Sequence, residues 1–310
     1  MHVPPSRDIG QMDELVPPSM LAAYILFGAI VLSLVLTQVN QRFASPVMAI
    51  FNRWLRWVIF ALGAAKISYD FELIERPLWV LTTAFFLVYF LIETAYRWLE
   101  IHALSVSPIP LFPRFALNAS GEEWPTHPRL LKIRDWLRQQ GFKQVQALKA
   151  EVGGGIYLRV SVYQDGPALL RVQITFLPQP SGGIAVCYSL SSQSVTGYRY
   201  VTDNLFLPFG GFYPENWLVE RNPWRRSLAH LVKRHQERIA RAHELLVPWT
   251  MEPLGDLNSQ QRELEQVNTE LGFLFPTSDR EDHGKITYEG RYRVWKEIWL
   301  LNYFGLSSRY

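Results

Sequence analysis

Residues 20–39 form a run of twenty amino acids without a charged side chain. A helix of that length can cross the hydrocarbon core of a bilayer. Eleven of the residues are Leu, Ile, Phe or Val, which favours membrane insertion by about 3 to 6 kcal/mol. The run is longer than the apolar core of a cleaved signal peptide, so we expect a helix that stays in the membrane as an anchor.

Two further apolar segments follow, at residues 47–67 and 77–99. The later one carries no charge from residue 78 to residue 92, so it predicts another transmembrane helix. The earlier one has two interpretations, because Arg53 and Arg56 flank a short apolar core. It either spans the bilayer with its arginines reaching one surface, or it lies flat in the interface with those arginines in water. The sequence therefore predicts two or three transmembrane helices.

The distribution of basic residues distinguishes the two topologies. With three spans, Arg42, Arg53, Arg56, Arg97 and Arg114 fall on the same side of the membrane. Short loops rich in Arg and Lys face the cytoplasm, so the amino terminus would lie outside and the large carboxyl-terminal domain inside. With two spans, the basic connection would push that domain outside. We favour three spans, and predict an integral protein of the plasma (inner) membrane with a cytoplasmic domain.

Composition divides the chain into an anchor, a connector and a soluble domain. We assign residues 1–104 to the anchor, 105–125 to a stiff, proline-containing connector and 126–310 to the domain. The chain contains one cysteine, Cys187, so it cannot form an intrachain disulfide. Such cysteine usage is typical of a reducing compartment and agrees with a cytoplasmic domain.

Alternating apolar and polar residues in the domain predict β-strands. Glycine-containing turns separate these stretches, one of them at residues 180–183, which is typical of an antiparallel meander. We predict four or five strands, among them residues 156–163, 169–177, 184–190 and 196–202. Apolar residues at helical spacing predict flanking helices at residues 128–140, 227–246, 259–271 and 288–304. The predicted fold is an α+β domain behind a helical membrane anchor.

A group of basic residues lies on and just before the predicted helix at residues 227–246. Its members are Arg225, Arg226, Lys233, Arg234, Arg238 and Arg241. Each basic group near an anionic membrane surface contributes about 1 kcal/mol, so several in register could hold the domain against lipid or a partner. The alternative is an ordinary solvated helix face. We do not expect nucleic acid as a partner, because no nucleic-acid-binding motif accompanies the charge.

An unusually aromatic stretch at residues 205–217 follows the predicted strands. Its main aromatic side chains are Phe206, Phe209, Phe212, Tyr213 and Trp217. The simpler interpretation is a segment that closes over the sheet, and the alternative is a rim that binds a ligand, a lipid or a neighbouring subunit. In the anchor, Glu93 and Arg97 lie four residues apart on one helical face, so we predict an ion pair at the membrane interface. The alternative is a proton or ion role for Glu93 within the membrane.

No residue pattern in the sequence predicts a catalytic residue, a metal site or a cofactor. His230, His235 and His243 share a predicted helix, but spacings of five and eight do not give the four-residue pair of a helical zinc site. Cys187 lies in a predicted strand without a neighbouring histidine, so we interpret it as a packing residue. The glycines at residues 153–155 lack the lysine of a phosphate-binding loop and predict a turn.

The sequence favours a non-enzymatic membrane protein whose cytoplasmic domain assembles with itself, with a partner protein or with the membrane surface. The anchor helices contain small residues such as Gly28 and Gly63, which allow helices to associate closely. The alternative is a membrane-tethered sensor or ligand-binding domain that uses the sheet and the aromatic stretch at 205–217. An enzyme is a third alternative. The expected partners are the lipid bilayer and other protein subunits, including copies of the same chain.

Overall fold

The computed structural model describes residues 18–119, 124–178 and 184–308. Residues 1–17 of the predicted anchor and the turn predicted at residues 180–183 lie outside these ranges. Three long apolar helices come first, and a domain that combines a sheet with helices follows. The predicted order of an apolar helical region and an α+β domain is therefore confirmed.

The three amino-terminal helices are each long and apolar enough to span a membrane. They are α1 (Pro18–Phe43), α2 (Pro46–Asp70) and α3 (Leu78–Val106). Only two residues separate α1 from α2, and the first of them, Ala44, reverses the chain in a left-handed conformation with φ of 46°. Pro46 then occupies the first turn of α2, where its missing N–H is harmless. We call α1, α2 and α3 the apolar bundle.

The remainder of the described chain forms the α+β domain. Its strands are β1 (Phe115–Leu117), β2 (Lys143–Glu151), β3 (Tyr157–Gln164), β4 (Arg171–Pro178), β5 (Ile184–Ser194), β6 (Arg199–Asp203), β7 (Trp217–Arg221) and β8 (Leu246–Val247). Its helices are α4 (Pro128–Gln139), α5 (Leu228–Ala242), α6 (Pro253–Glu270), the short α7 (Arg280–His283) and α8 (Tyr288–Trp299). A π-helical turn (Leu300–Phe304) extends α8.

The predicted meander of four or five strands is wrong in strand number, and the antiparallel strands that it describes are only part of a larger sheet. Strands β3 to β6 lie where strands are predicted, but β1, β2, β7 and β8 enlarge the sheet to eight strands. The spatial order follows the chain from β1 to β7, and β8 pairs with the end of β5. Neighbouring strands are antiparallel except β6 and β7, which run parallel with Arg199 opposite Trp217. The sheet is therefore mixed.

The missed strands have weak local sequence patterns. β1 and β8 contain three and two residues, too few to show an alternation. In β2 the pairing register shifts between Gln144 and Gln146, and such a bulge interrupts the period of two. β7 lies beside β6 without a hairpin, because parallel strands need a long connection, and residues 204–216 provide it. A pattern search for glycine-linked hairpins cannot find such a strand.

Helices cover both faces of the sheet. On one face, α4 and α5 bury side chains such as Leu137 and Leu231 against Ile174 of β4. On the other face, Leu257 of α6 packs with side chains of β2 and β3, including Val160. This division follows from the strands themselves, because successive side chains of a strand point to opposite faces.

A buried ion cluster ties α6 to the sheet. The Asp256 carboxylate accepts hydrogen bonds from Arg171 Nη1 and from Arg199 Nη2, both at 2.6 Å. Arg171 is only 2% exposed, and the Trp249 ring packs against both guanidinium groups. Removing one member of such a cluster would leave a buried charge without its partner, which is strongly destabilising. The three charged residues therefore depend on one another for their burial.

The carboxyl-terminal end of α3 belongs to the core of the domain. Ile101 is 2% exposed and lies in one apolar cluster with Phe273 and Ile286. The Ser105 hydroxyl accepts a hydrogen bond from the Ile286 N–H at 2.9 Å, and its carbonyl accepts one from the Lys285 N–H at 2.9 Å. One continuous helix thus runs from the apolar bundle into the domain, past residue 105, where the connector is predicted to begin.

A second contact joins the π-helical turn to α2 and α3 through aromatic rings. Trp57 stacks on Phe86 with a centroid distance of 4.5 Å and meets Tyr303 at 5.3 Å. Trp54 Nε1 donates a hydrogen bond to the Tyr303 carbonyl at 2.9 Å, and the Trp299 ring lies 5.6 Å from that of Trp57. We call these five residues the aromatic cluster. It attaches the last turn of the domain to the bundle.

Replacing Trp57, which is 4% exposed, by alanine should destabilise the full-length protein by about 3 to 5 kcal/mol, because a buried aromatic side chain leaves a cavity. The matched control is Trp79→Ala in α3, where the ring is 71% exposed and a change within about 0.5 kcal/mol is expected. Denaturant unfolding in a non-ionic detergent measures both values. Equal losses in the two variants would contradict the contact between the aromatic rings.

Candidate functional site

A cleft of about 1030 Å³ lies between the end of α1 and the α+β domain. One wall is formed by the last turn of α1 and by Ala44 in the turn that follows it. The other wall is formed by α4, by the first residues of β5 and by the start of α5. We call it the basic cleft, because Arg129, Lys132 and Arg226 line it.

Helix α4 presents a charged and apolar face to the basic cleft. His127 caps the helix, and its Nδ1 accepts a hydrogen bond from the Arg129 backbone N–H at 3.3 Å. Positions 129, 132, 133 and 136 are three or four residues apart and therefore share one helical face. Arg129 and Lys132 are its basic members, and Ile133 and Trp136 are its apolar members.

Arg226, just before α5, connects the domain to the turn between α1 and α2. Its Nη2 donates hydrogen bonds to the carbonyl oxygens of Phe43 and Ala44, in the latter case at 2.9 Å. The last carbonyl groups of a helix lack intrahelical donors, so this contact satisfies groups that the helix leaves open. Within the described part of the chain, the Nε and Nη1 atoms of Arg226 have no hydrogen-bond acceptor.

The basic cleft has an excess of positive charge. None of the described residues that line it is acidic. Partial burial and the charge of Arg129 lower the pKa of the Arg226 guanidinium, and the Tyr188 phenol acts in the opposite direction. Burial raises the pKa of Tyr188 to about 12, while both arginines act on that phenol in the opposite direction. Arg129, Arg226 and Tyr188 thus line one cleft, and no carboxylate is among its described lining residues, an arrangement that attracts an anion.

A smaller cleft of about 280 Å³ lies between α1 and α2 and shares Gln41 and Ala44 with the basic cleft. Its polar side chains contact one another. Arg56 Nη2 and Asn52 Nδ2 both donate to the Thr37 hydroxyl, at 2.8 and 3.0 Å. Hydrogen bonds of this kind hold apolar helices together, so we assign the smaller cleft to packing between α1 and α2.

The basic residues predicted to contact a membrane or a partner lie in several different environments. Among Arg225, Arg226, Lys233, Arg234, Arg238 and Arg241, only Arg226 lines the basic cleft. Arg225 is exposed. Arg238 donates to the carbonyl oxygens of Val201 and Leu218, at 2.8 and 2.7 Å, and so connects α5 to β6 and β7.

The other three basic residues of α5 pair with acidic side chains. Arg234 Nε lies 2.8 Å from Glu220 on β7. Lys233 and Arg241 both lie 3.9 Å from Glu237 and remain largely exposed. Most of the basic residues on α5 are therefore paired within the fold, whereas Arg129 and Lys132 of α4 have no acidic neighbour among the described residues that line the basic cleft.

The aromatic stretch at residues 205–217 packs into the domain. Phe209, Phe212 and Tyr213 pack against the apolar cluster that contains the end of α3, Trp217 is 8% exposed, and Phe206 is half-buried. Neither of the two clefts described above is lined by this stretch. The packing supports a segment that closes over the domain.

The predicted pair in α3 is in contact. Arg97 Nη2 lies 2.7 Å from Glu93 Oε1, and Arg97 Nη1 also contacts Glu100. Neighbours one turn apart on the same helix thus neutralise each other.

Other ionisable groups buried in the domain have structural partners. Asp203 lies 3.1 Å from Arg221 Nε, and Arg221 Nη2 donates to the Tyr213 hydroxyl at 2.9 Å. Burial raises the pKa of Asp203 and raises that of Tyr213 to about 12. Glu297 accepts hydrogen bonds from the Ser307 hydroxyl and the Ser308 N–H, at 2.6 and 2.9 Å. These groups hold the polypeptide in place, and none of them lines either of the two clefts described above.

The histidines and the cysteine also have packing roles. His235 is fully buried, with Nδ1 2.9 Å from the Thr202 hydroxyl and Nε2 3.1 Å from the Ser192 hydroxyl. Burial raises the pKa of the Cys187 thiol to about 12, which keeps it protonated at neutral pH. His230 and His243 are exposed, and no group of metal-binding side chains occurs within the described ranges.

Arg129 and Lys132 were not identified by sequence reasoning. The sequence does contain a signal for these two residues. They lie three positions apart on one face of a capped helix, and Ile133 and Trp136 lie on the same face. A sequence does not reveal that the end of α1 lies opposite that face. Comparisons of the chain with protein-family models, with characterised proteins and with solved structures found no match.

The buried side chain of His235 should make the folded protein less stable in acid. Burial lowers its pKa from 6.5 to about 3, so the unfolded chain binds a proton below about pH 6.5 that the folded protein does not accept. The free energy of unfolding should therefore fall as the pH decreases below about 6.5. The His235 side chain should account for a loss of about 2 kcal/mol by about pH 5.

His235→Asn should remove this part of the pH dependence, although it lowers stability at every pH. Denaturant unfolding at about pH 7.5 and about pH 5 measures the difference within each variant. His230→Asn, at an exposed position on the same helix, should keep the wild-type difference. An unchanged difference in His235→Asn would show that His235 does not cause the acid sensitivity.

Proposed function

We propose that the chain is a non-enzymatic integral membrane protein whose α+β domain is held against the cytoplasmic end of a three-helix anchor. The domain acts there by assembling with copies of itself, with a partner protein or with the membrane surface. This proposal rests on the observation that the apolar bundle and the domain share a core. Ile101 of α3 is buried in an apolar cluster of the domain, and Tyr303, which follows α8, is buried against the bundle. The bundle thereby determines where the domain can work.

Contacts between the bundle and the domain support a topology with three spans. The turn between α1 and α2 contacts Arg226, and the first half of α2 contacts the π-helical turn. The end of α3 lies in the same domain. If α2 and α3 cross the bilayer as antiparallel neighbours, all of these points lie on one side. The arginines near that side favour the cytoplasm, and the plasma (inner) membrane is the proposed location.

A second candidate function is a membrane-tethered ligand-binding or sensor domain. The basic cleft supports it, because a concave site with several unneutralised charges and apolar walls is typical of ligand sites. Its position differs from the predicted one, since the aromatic stretch at 205–217 packs into the core. This candidate is compatible with the first, because ligand binding beside α1 could control assembly.

Reporter fusions test the topology. A reporter after Asn40 and one at Tyr310 should both be active in the cytoplasm, and one after Asp70 should be active only on the opposite side. Alkaline carbonate extraction should leave the full chain in the membrane pellet. A cytoplasmic signal from the Asp70 fusion, or release of the chain into the supernatant, would contradict the three-span anchor.

Cross-linking in native membranes tests assembly. A lysine-reactive reagent applied before solubilisation should shift the full-length chain to discrete species of higher mass, whereas membranes dissolved in denaturing detergent first should give only the monomer. Mass spectrometry of the shifted species distinguishes a second copy from another protein. A monomer under both conditions would remove assembly from the proposal and leave ligand binding.

A further inference from the structure

The basic cleft favours a negatively charged occupant. Arg129 and Lys132 contribute two charges from one face of α4, and Arg226 contributes a third from the start of α5. No acidic side chain is among the described residues that line the cleft. Like charges that share a site repel one another, so an anion that binds among them relieves the repulsion. The charge distribution thus selects anionic ligands.

The donor groups of the cleft match phosphate. Arginine presents several N–H donors in a planar arrangement that pairs with two phosphate oxygens at once, and lysine adds a mobile point charge. Arg226 uses only its Nη2 for the carbonyl groups of Phe43 and Ala44. Within the described residues, its Nε and Nη1 therefore stay available for an anion. A second guanidinium, that of Arg129, lines the same cleft.

The apolar part of the cleft favours an amphiphilic occupant over a free ion. Ile133, Trp136, Ile184 and Val186 line it together with the basic residues, and Ile184 is 43% exposed. A free phosphate ion would leave these side chains in water. A cleft of about 1030 Å³ is also much larger than a single phosphate group requires. A ligand with an anionic head and an apolar body covers both kinds of surface.

The location next to α1 points to the source of such a ligand. The cleft borders the last turn of a helix that is long and apolar enough to span a membrane, and Gln38, Gln41 and Phe43 of that turn line it. In a bilayer, the polar end of such a helix lies at the depth of the lipid headgroups. Phospholipids supply phosphate esters there at high local concentration.

We propose that the basic cleft binds an anionic phosphate ester, and that in the membrane this ester is the headgroup of an anionic phospholipid. Its phosphate lies among Arg129, Lys132 and Arg226, and its glycerol and upper acyl region lie against Ile133 and Trp136. This inference deepens the proposed function and rests on it in one respect, because α1 must be inserted in a bilayer for the cleft to lie at headgroup depth.

Ligand titrations of the full-length protein in a non-ionic detergent test the proposal. Thermal unfolding is followed during addition of phosphatidylglycerol, of zwitterionic phosphatidylcholine, or of soluble glycerol 3-phosphate. The cleft variant is Arg129→Gln with Lys132→Gln, two exposed side chains of α4. The matched control is Lys233→Gln with Arg241→Gln, which removes the same charge from exposed positions of α5 that do not line the cleft.

Phosphatidylglycerol should raise the unfolding temperature of the wild type and of the control, and phosphatidylcholine should raise it less. In the cleft variant the apparent affinity for phosphatidylglycerol should fall by about tenfold or more, because two interfacial basic groups are lost. The unfolding temperature without ligand should match that of the wild type, which shows that the variant is folded.

The soluble arm of the experiment distinguishes the sources of phosphate. Glycerol 3-phosphate could raise the unfolding temperature as much as the lipid does, and the cleft variant could reduce both effects equally. That result would assign the site to a soluble phosphate ester and overturn the lipid assignment. No rise with either ligand, or equal losses in the cleft variant and the control, overturns the proposal. These results are independent of carbonate extraction and reporter fusions, so a failure of the lipid site and a failure of the anchor are distinguishable.

Discussion

The packing of the π-helical turn against α2 determines how the domain sits on the apolar bundle. The Trp57 ring lies between Phe86 of α3 and Tyr303 of the turn, with centroid distances of 4.5 and 5.3 Å. A separate contact exists where Ile101 and Ser105 of α3 enter the core of the domain. Domains joined only by a polar linker move independently, whereas a large apolar contact holds them together. Two such contacts and a continuous helix make the bundle and the domain one structural unit.

The basic cleft is a consequence of this attachment. Its walls come from α1, α4, β5 and α5, and the end of α1 stays opposite α4 because the domain contacts the bundle, through Arg226 at this point and through α2 and α3 elsewhere. The charges in the cleft differ in kind from the other buried or half-buried charges. Arg171 and Arg199 share Asp256, and Arg234 pairs with Glu220, so these groups are neutralised within the fold. Arg129 and Lys132 lack comparable neutralisation among the residues of the cleft. This difference separates groups that stabilise the fold from groups that are available to a ligand.

Local sequence patterns predict the helices and strands of this protein better than they predict the contacts between them. The apolar helices, strands β3 to β6 and helix α5 follow from composition, alternation and helical spacing, which are properties of neighbouring residues. The parallel strand β7 does not, because its pairing partner β6 lies across a long connection. Asp256 is one of many acidic residues in the sequence, and only the tertiary fold places it between two arginines. The basic cleft is unpredictable for the same reason, since residues from the first hundred of the chain face residues from the second and third hundred across it.

Arg226 links the basic cleft to the position of α1, because it lines the cleft and also contacts the end of α1. One nitrogen atom of its guanidinium holds the last carbonyl groups of α1, while its charge lies close to that of Arg129. Like charges that share a cleft repel each other. An anion bound between them would remove the repulsion without competing for the carbonyl groups, because a guanidinium has donors on three nitrogen atoms. Binding in the cleft would therefore strengthen the joint between α1 and the domain, and a ligand that binds only the folded state raises its stability in proportion to the logarithm of its concentration.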